Sequence, residues 1–126
     1  MTDQQEALVQ RVEAALHRAG LRTFRGSDFG HNSGVAIDVD RAEDREGSGV
    51  WVIWEPGPDL IAESNASVRS GEYDARAIRE ANAVSDAMMR AIAELLTLFG
   101  LTAHEADPEM YPGALLVADA ESNPQD

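Results

Sequence analysis

The chain has 126 residues, 44% of them hydrophobic, and a formal net charge of -13 from 23 acidic and 10 basic side chains. It holds no cysteine, and all ten basic residues are arginine. These absences exclude a disulfide scaffold, a zinc–thiolate site, a thiol nucleophile, Schiff-base chemistry and a phosphate-loop lysine.

Thr2 followed three residues later by Gln5 is a capping-box pattern, and it predicts a first helix from Asp3 to Ala19. Leu8, Val12, Ala15, Leu16 and Ala19 fall on one helical face, and Gly20 supplies the left-handed stop. Leu21 to Arg25 alternates as a short strand. A loop from Gly26 to Gly34 leads into a strand, Val35 to Asp40, that places Val35, Ile37 and Val39 inward. A charged turn from Arg41 to Gly49 precedes Val50–Trp54, which is apolar on both faces, as a strand covered on both sides would be. Glu55-Pro56-Gly57-Pro58 ends that strand.

Asp59 to Ser70 has Leu60, Ile61 and Val68 as its only large apolar side chains, and it reads equally as a short helix capped near Gly71 or as a loop. From Tyr73 to Phe99 the apolar residues Ile78, Ala81, Val84, Met88, Ile92, Leu95, Leu96 and Phe99 keep helical spacing, with Gly100 as the stop. Leu101 to Glu105 is a weak strand, Ala106 to Gly113 a turn containing Pro108 and Pro112, and Ala114 to Ala118 a last strand.

The expected fold class is α+β in the order α-β-β-β-α-β-β. It would be an antiparallel sheet of about five strands with two long helices packed on one face. Residues 1–120 are expected to form a single domain and 121–126 a flexible acidic tail. Helix, Gly20-Leu21, strand, loop, Gly34, strand and Asp40 are echoed by helix, Gly100-Leu101, strand, loop, Gly113, strand and Asp119. The echo fits either a duplication or two independent uses of the same turn chemistry.

Trp51 and Ile53 point opposite to Val52 and Trp54 on one strand. One large aromatic therefore lies on the face away from the helices. Trp51, Ile53 and Trp54 are the candidate interaction surface unless the segment from Asp59 to Ser70 folds over it.

The chemistry-bearing residues are sparse. Asp38 and Asp40 share a strand face and could hold Mg²⁺ or Ca²⁺, and the same pattern arises on any solvated strand face. His104, Glu105, Asp107 and Glu109 collect metal-ligand types, to which His31 or Asp28 could add if the two echoed units are neighbours. No H-E-x-x-H or G-x-S-x-G is present. Gly26, Gly30 and Gly34 punctuate the first loop, but a phosphate cradle normally opens a helix and this loop opens a strand. No catalytic, cofactor-binding or metal residue is assigned, and no cofactor is expected.

Residues 1–27 hold four arginines and three acids, whereas residues 28–126 hold six arginines and twenty acids. After Arg90 there is no basic side chain. Such a field repels phosphate backbones and favours a basic protein partner. The N-terminal sequence has neither the basic start nor the apolar run of a signal peptide, and no apolar stretch approaches the ~20 residues of a membrane span. A cytoplasmic location is expected.

The α-β-β-β-α-β-β order is similar to the layout of small acidic dimeric chaperones of secretion systems. The similarity is one of element order, and no sequence motif of that family is present. Three functions compete. The first is a non-catalytic binding protein of the bacterial cytoplasm, chaperone- or adaptor-like and possible as a homodimer. The second is a carboxylate-rich inhibitor or nucleic-acid mimic that occupies a basic partner. The third is a metal-assisted hydrolase built on Asp38, Asp40, His31 and His104.

Overall fold

The computed structural model describes residues 2–26, 33–39, 49–72, 75–105 and 113–119. In chain order they form α1 (Asp3–Arg18), β1 (Thr23–Arg25), β2 (Gly34–Val39), β3 (Val50–Glu55), α2 (Pro58–Arg69), α3 (Arg76–Leu98), β4 (Leu101–Glu105) and β5 (Leu115–Asp119).

Local chemistry sets the helix ends. The Gln5 backbone N–H donates to Thr2 Oγ1 at 3.0 Å, and the Thr2 backbone N–H donates to Gln5 Oε1 at 2.9 Å, which is the reciprocal capping box. At the other end of α1, Gly20 (φ 89°) lets the Leu21 N–H reach the Leu16 carbonyl at 2.9 Å. The last carbonyls of the helix are thereby satisfied and the chain is turned toward the sheet. α2 opens with Pro58 at a first-turn position, where a missing N–H costs nothing.

The five strands lie in the order β1-β2-β3-β5-β4. β2–β3, β3–β5 and β5–β4 are antiparallel, but β1 and β2 are parallel, with Thr23 beside Val35 and Arg25 beside Ile37. The sheet is therefore mixed and not wholly antiparallel as the sequence suggested. Alternation marks a strand but carries no direction, so only the pairing of β1 with β2 reveals it. Gly34 is what makes the parallel contact close. It adopts φ 125°, and a Cβ there would stand 2.6 Å from the Arg22 carbonyl oxygen, which accepts the Val35 N–H at 2.9 Å.

α1 and α3 lie on one face of the sheet. From alternate strand positions, Val35, Ile37, Val50, Val52, Leu101, Leu115 and Val117 meet Val9, Val12 and Leu16 of α1 and Ile92 and Leu96 of α3 in one buried cluster. A third helix is the second correction: the segment that could have been a loop is α2. It packs on α3 and has no buried residue, so it extends the helical side of the molecule. The echo between the two halves extends to the glycine stops, since Gly20 and Gly100 both take positive φ. It fails in the sheet, where the first unit gives a parallel pair and the second an antiparallel one.

Candidate interaction surface

The sheet register sorts every strand residue to one face. On the face opposite α1 and α3, Phe24, Ala36 and Ile53 form one row across β1, β2 and β3. Asp38, Trp51, Leu116 and His104 form the next, running across β2, β3, β5 and β4. Thr102 and Ala118 sit side by side beyond it. The middle of this face is apolar: Ala114 and Leu116 are buried, and Trp51 and Ile53 pack on them while remaining half-buried. Its described margin is polar, with Asp38 at one end of the row and exposed His104 at the other.

Trp54, the third residue of the sequence-based surface, belongs to the opposite side. Its side chain packs on the main core, and its backbone N–H, two residues past the last β3–β5 pair, donates to Met89 Sδ at 3.2 Å. Phe24, Ala114 and Leu116 join the surface instead. Leu116 lies in a run, Ala114 to Ala118, whose inward and outward residues are equally apolar, so only the register identifies its face.

The proposed metal ligands do not converge. Asp38 and His104 occupy the two ends of one row, three strand spacings and so roughly 14 Å apart. That span is several times the ~2–2.5 Å reach of a metal–ligand bond. The Asp38 carboxylate is also turned back on the main chain, where Oδ1 accepts the Val39 N–H at 2.8 Å. Asp40, His31, Asp28, Asp107 and Glu109 lie outside the described residues. Among the described residues no three His, Cys, Asp or Glu side chains gather as a metal group. Within the glycine-punctuated loop, the Gly26 N–H is committed to the Ile37 carbonyl at 2.9 Å and is not available to an anion.

The N-terminal arginines serve the fold. Arg25 of β1 donates to Glu6 at 2.8 and 2.7 Å and to Glu13 at 3.2 and 2.9 Å, spanning two turns of α1. The hydrogen bond from Arg25 is the main reason that the Glu6 carboxyl lies below its ordinary range, and the same pairs push the Arg25 guanidinium further up. Arg11 of α1 pairs with Asp119 of β5, and His17 shares a 2.7 Å hydrogen bond with Thr23. The nearly balanced charge of the first 27 residues is thus largely spent on tying α1 to both halves of the sheet.

Glu55 is a burial that the sequence did not signal. It ends β3 with no exposed surface, on the same side as Trp51 and Ile53. A glutamate in front of Pro56-Gly57 looks like the polar end of a strand, and nothing in its neighbours distinguishes it from an exposed one.

None of the described helices is long and apolar enough to cross a membrane. The chain matches no family model, no curated protein and no solved structure.

Proposed function

We propose that the protein is a non-catalytic binding module of the bacterial cytoplasm that holds a protein segment on the sheet face opposite its helices. The observation that carries this reading is the second apolar cluster, Trp51, Ile53, Ala114 and Leu116, separated from the main core by the sheet itself. A sheet needs one covered face to be stable, and a further apolar patch with half-buried aromatic surface is a feature of contact sites. The chain around it carries a net charge of -13. The fitting ligand is therefore a segment with apolar residues for the centre of the face and arginine or lysine on its flanks.

The test is a set of 15-residue peptides combining apolar residues with basic, neutral or acidic flanks, followed by fluorescence anisotropy at low and high salt. The basic apolar set is expected to bind, to weaken as salt rises, and to be lost in Ile53→Asp with the melting temperature kept. Equal binding by Ile53→Asp, or no preference for basic over acidic flanks, would overturn the reading. The mimic alternative differs in one outcome, because it requires a wholly basic peptide without apolar residues to bind as well.

A further inference from the structure

We infer that, given the binding role proposed for this sheet face, the partner segment is held by an arginine side chain seated between Asp38 and Trp51. Asp38 of β2 and Trp51 of β3 are direct partners in the antiparallel register, and both lie on the face away from α1 and α3. Directly opposed side chains of such a pair start about 4.5–5.5 Å apart at Cβ. A carboxylate and an indole therefore stand side by side at one margin of the apolar patch. Both are half-buried.

The Asp38 carboxylate is fixed in place without being used up. Its Oδ1 accepts the Val39 N–H at 2.8 Å, which orients the side chain. A carboxylate has about four acceptor positions, so this bond leaves about three of them for a partner. Arg11 pairs with Asp119, Arg25 with Glu6 and Glu13, and Arg76 with Glu80, and among the described residues no cation pairs with Asp38. A half-buried charge has lost part of its hydration, and a cation supplied by a partner compensates it.

There is room for that cation. Arg25 pairs with Ile37, so the next residue of the chain, Gly26, stands beside Asp38. It has no side chain, and a Cβ placed there would meet nothing within 4 Å. The head of a long side chain can reach the carboxylate from this direction.

The pairing of an acid with an indole selects arginine. A guanidinium is planar: its edge donates in parallel to a carboxylate while its face stacks on an aromatic ring. Asp38 and Trp51 offer those two surfaces at neighbouring positions. An ammonium answers the charge but has no plane to lay on the ring, so lysine is the weaker ligand. The other end of the row has no such pair. Leu116 follows Trp51, and the row closes on His104, whose ring holds no fixed negative charge. The fitting segment thus carries an arginine over β2 and apolar side chains toward Ile53 and Leu116. The net charge of -13 draws it in, and the Asp38–Trp51 pair sets its register.

Peptides that share one apolar stretch and carry arginine, lysine, citrulline or glutamate at its flank separate these contributions by fluorescence anisotropy. The intact chain should bind the arginine peptide about fivefold more tightly than the lysine peptide. It should bind it roughly tenfold or more tightly than the citrulline peptide, which keeps the shape and loses the charge. Asp38→Asn retains an acceptor for the Val39 N–H, so its melting temperature should hold while arginine and citrulline peptides bind alike. Asp38→Arg should turn the preference to the glutamate peptide. Trp51→Leu should level arginine with lysine and leave both ahead of citrulline. Glu63→Gln removes one negative charge from the exposed surface of α2 and should change none of these ratios.

Two failures are distinguishable. If no peptide binds, or if Ile53→Asp binds as well as the native chain, the binding role of the face falls and the arginine seat with it. If the peptides bind and Ile53→Asp loses them, but Asp38→Asn still prefers arginine to citrulline, the face stands and the arginine seat is overturned.

Discussion

Replacing Gly34 with alanine separates two effects that are usually confounded, backbone strain and steric exclusion. Gly34 holds φ 125°, a conformation that an alanine adopts at a penalty of about 1–3 kcal/mol. Its added methyl would also lie 2.6 Å from the Arg22 carbonyl oxygen. Restoring a contact of about 3.3 Å means drawing Arg22 back by about 0.7 Å, and the 2.9 Å bond from the Val35 N–H to that oxygen then exceeds the ~3.5 Å at which such a bond still counts. Leaving these groups without each other adds about 1–3 kcal/mol, for a combined loss of about 4 kcal/mol.

For 126 residues, each kcal/mol moves the melting temperature by roughly 4 °C, so Gly34→Ala should lower it by about 15 °C. Gly20→Ala is the matched control. It has φ 89° with nothing within 4 Å of the new methyl, so it carries the backbone term alone, about 1–2 kcal/mol or 4–8 °C. Scanning calorimetry of both variants decides the matter. If Gly34→Ala melts no lower than Gly20→Ala, the close approach of β1 to β2 is not what requires glycine there.

The clamp between β1 and α1 predicts a pH dependence of stability. Arg25 lowers the folded-state pKa of Glu6. The stabilisation is then complete above the ordinary carboxylate range of about pH 4–5 and is lost as pH falls through the folded value. The melting temperature of the wild-type chain should therefore exceed that of Arg25→Ala at pH 7, with the gap narrowing as the pH falls below the ordinary carboxylate range, and a gap that widens on acidification would contradict the assignment. At the start of α1, Thr2→Ala removes one half of the capping box and should cost about 1 kcal/mol, read as a fall of roughly 4 °C in the melting temperature.

Elements governed by short-range chemistry were legible in the sequence. Thr2 with Gln5 and the glycines at 20 and 100 state where helices begin and end, and the alternation of Val35, Ile37 and Val39 states which residues face the core. Strand direction was not legible, because the parallel contact of β1 depends on a backbone approach at Gly34 that no side-chain pattern records. α2 was ambiguous for a related reason. Its apolar content is too low to show a face, and its neighbour is another helix in place of the sheet. Of the candidate surface, Trp51 and Ile53 were readable from alternation on their own strand. Phe24, Leu116 and the roughly 14 Å between Asp38 and His104 required the pairing of strands distant in sequence.

The packing of α2 has a consequence for how the chain opens. With no buried residue and α3 as its principal neighbour, α2 can come away while the sandwich of α1, sheet and α3 stays sealed. Its amides should then exchange with solvent water well before those of Val52 or Ile92, through a partial excursion that leaves the rest of the molecule native. The stretch that follows β3 is thus the weakest-held helix of the structure, and a protease presented with the folded chain should make its first cut there.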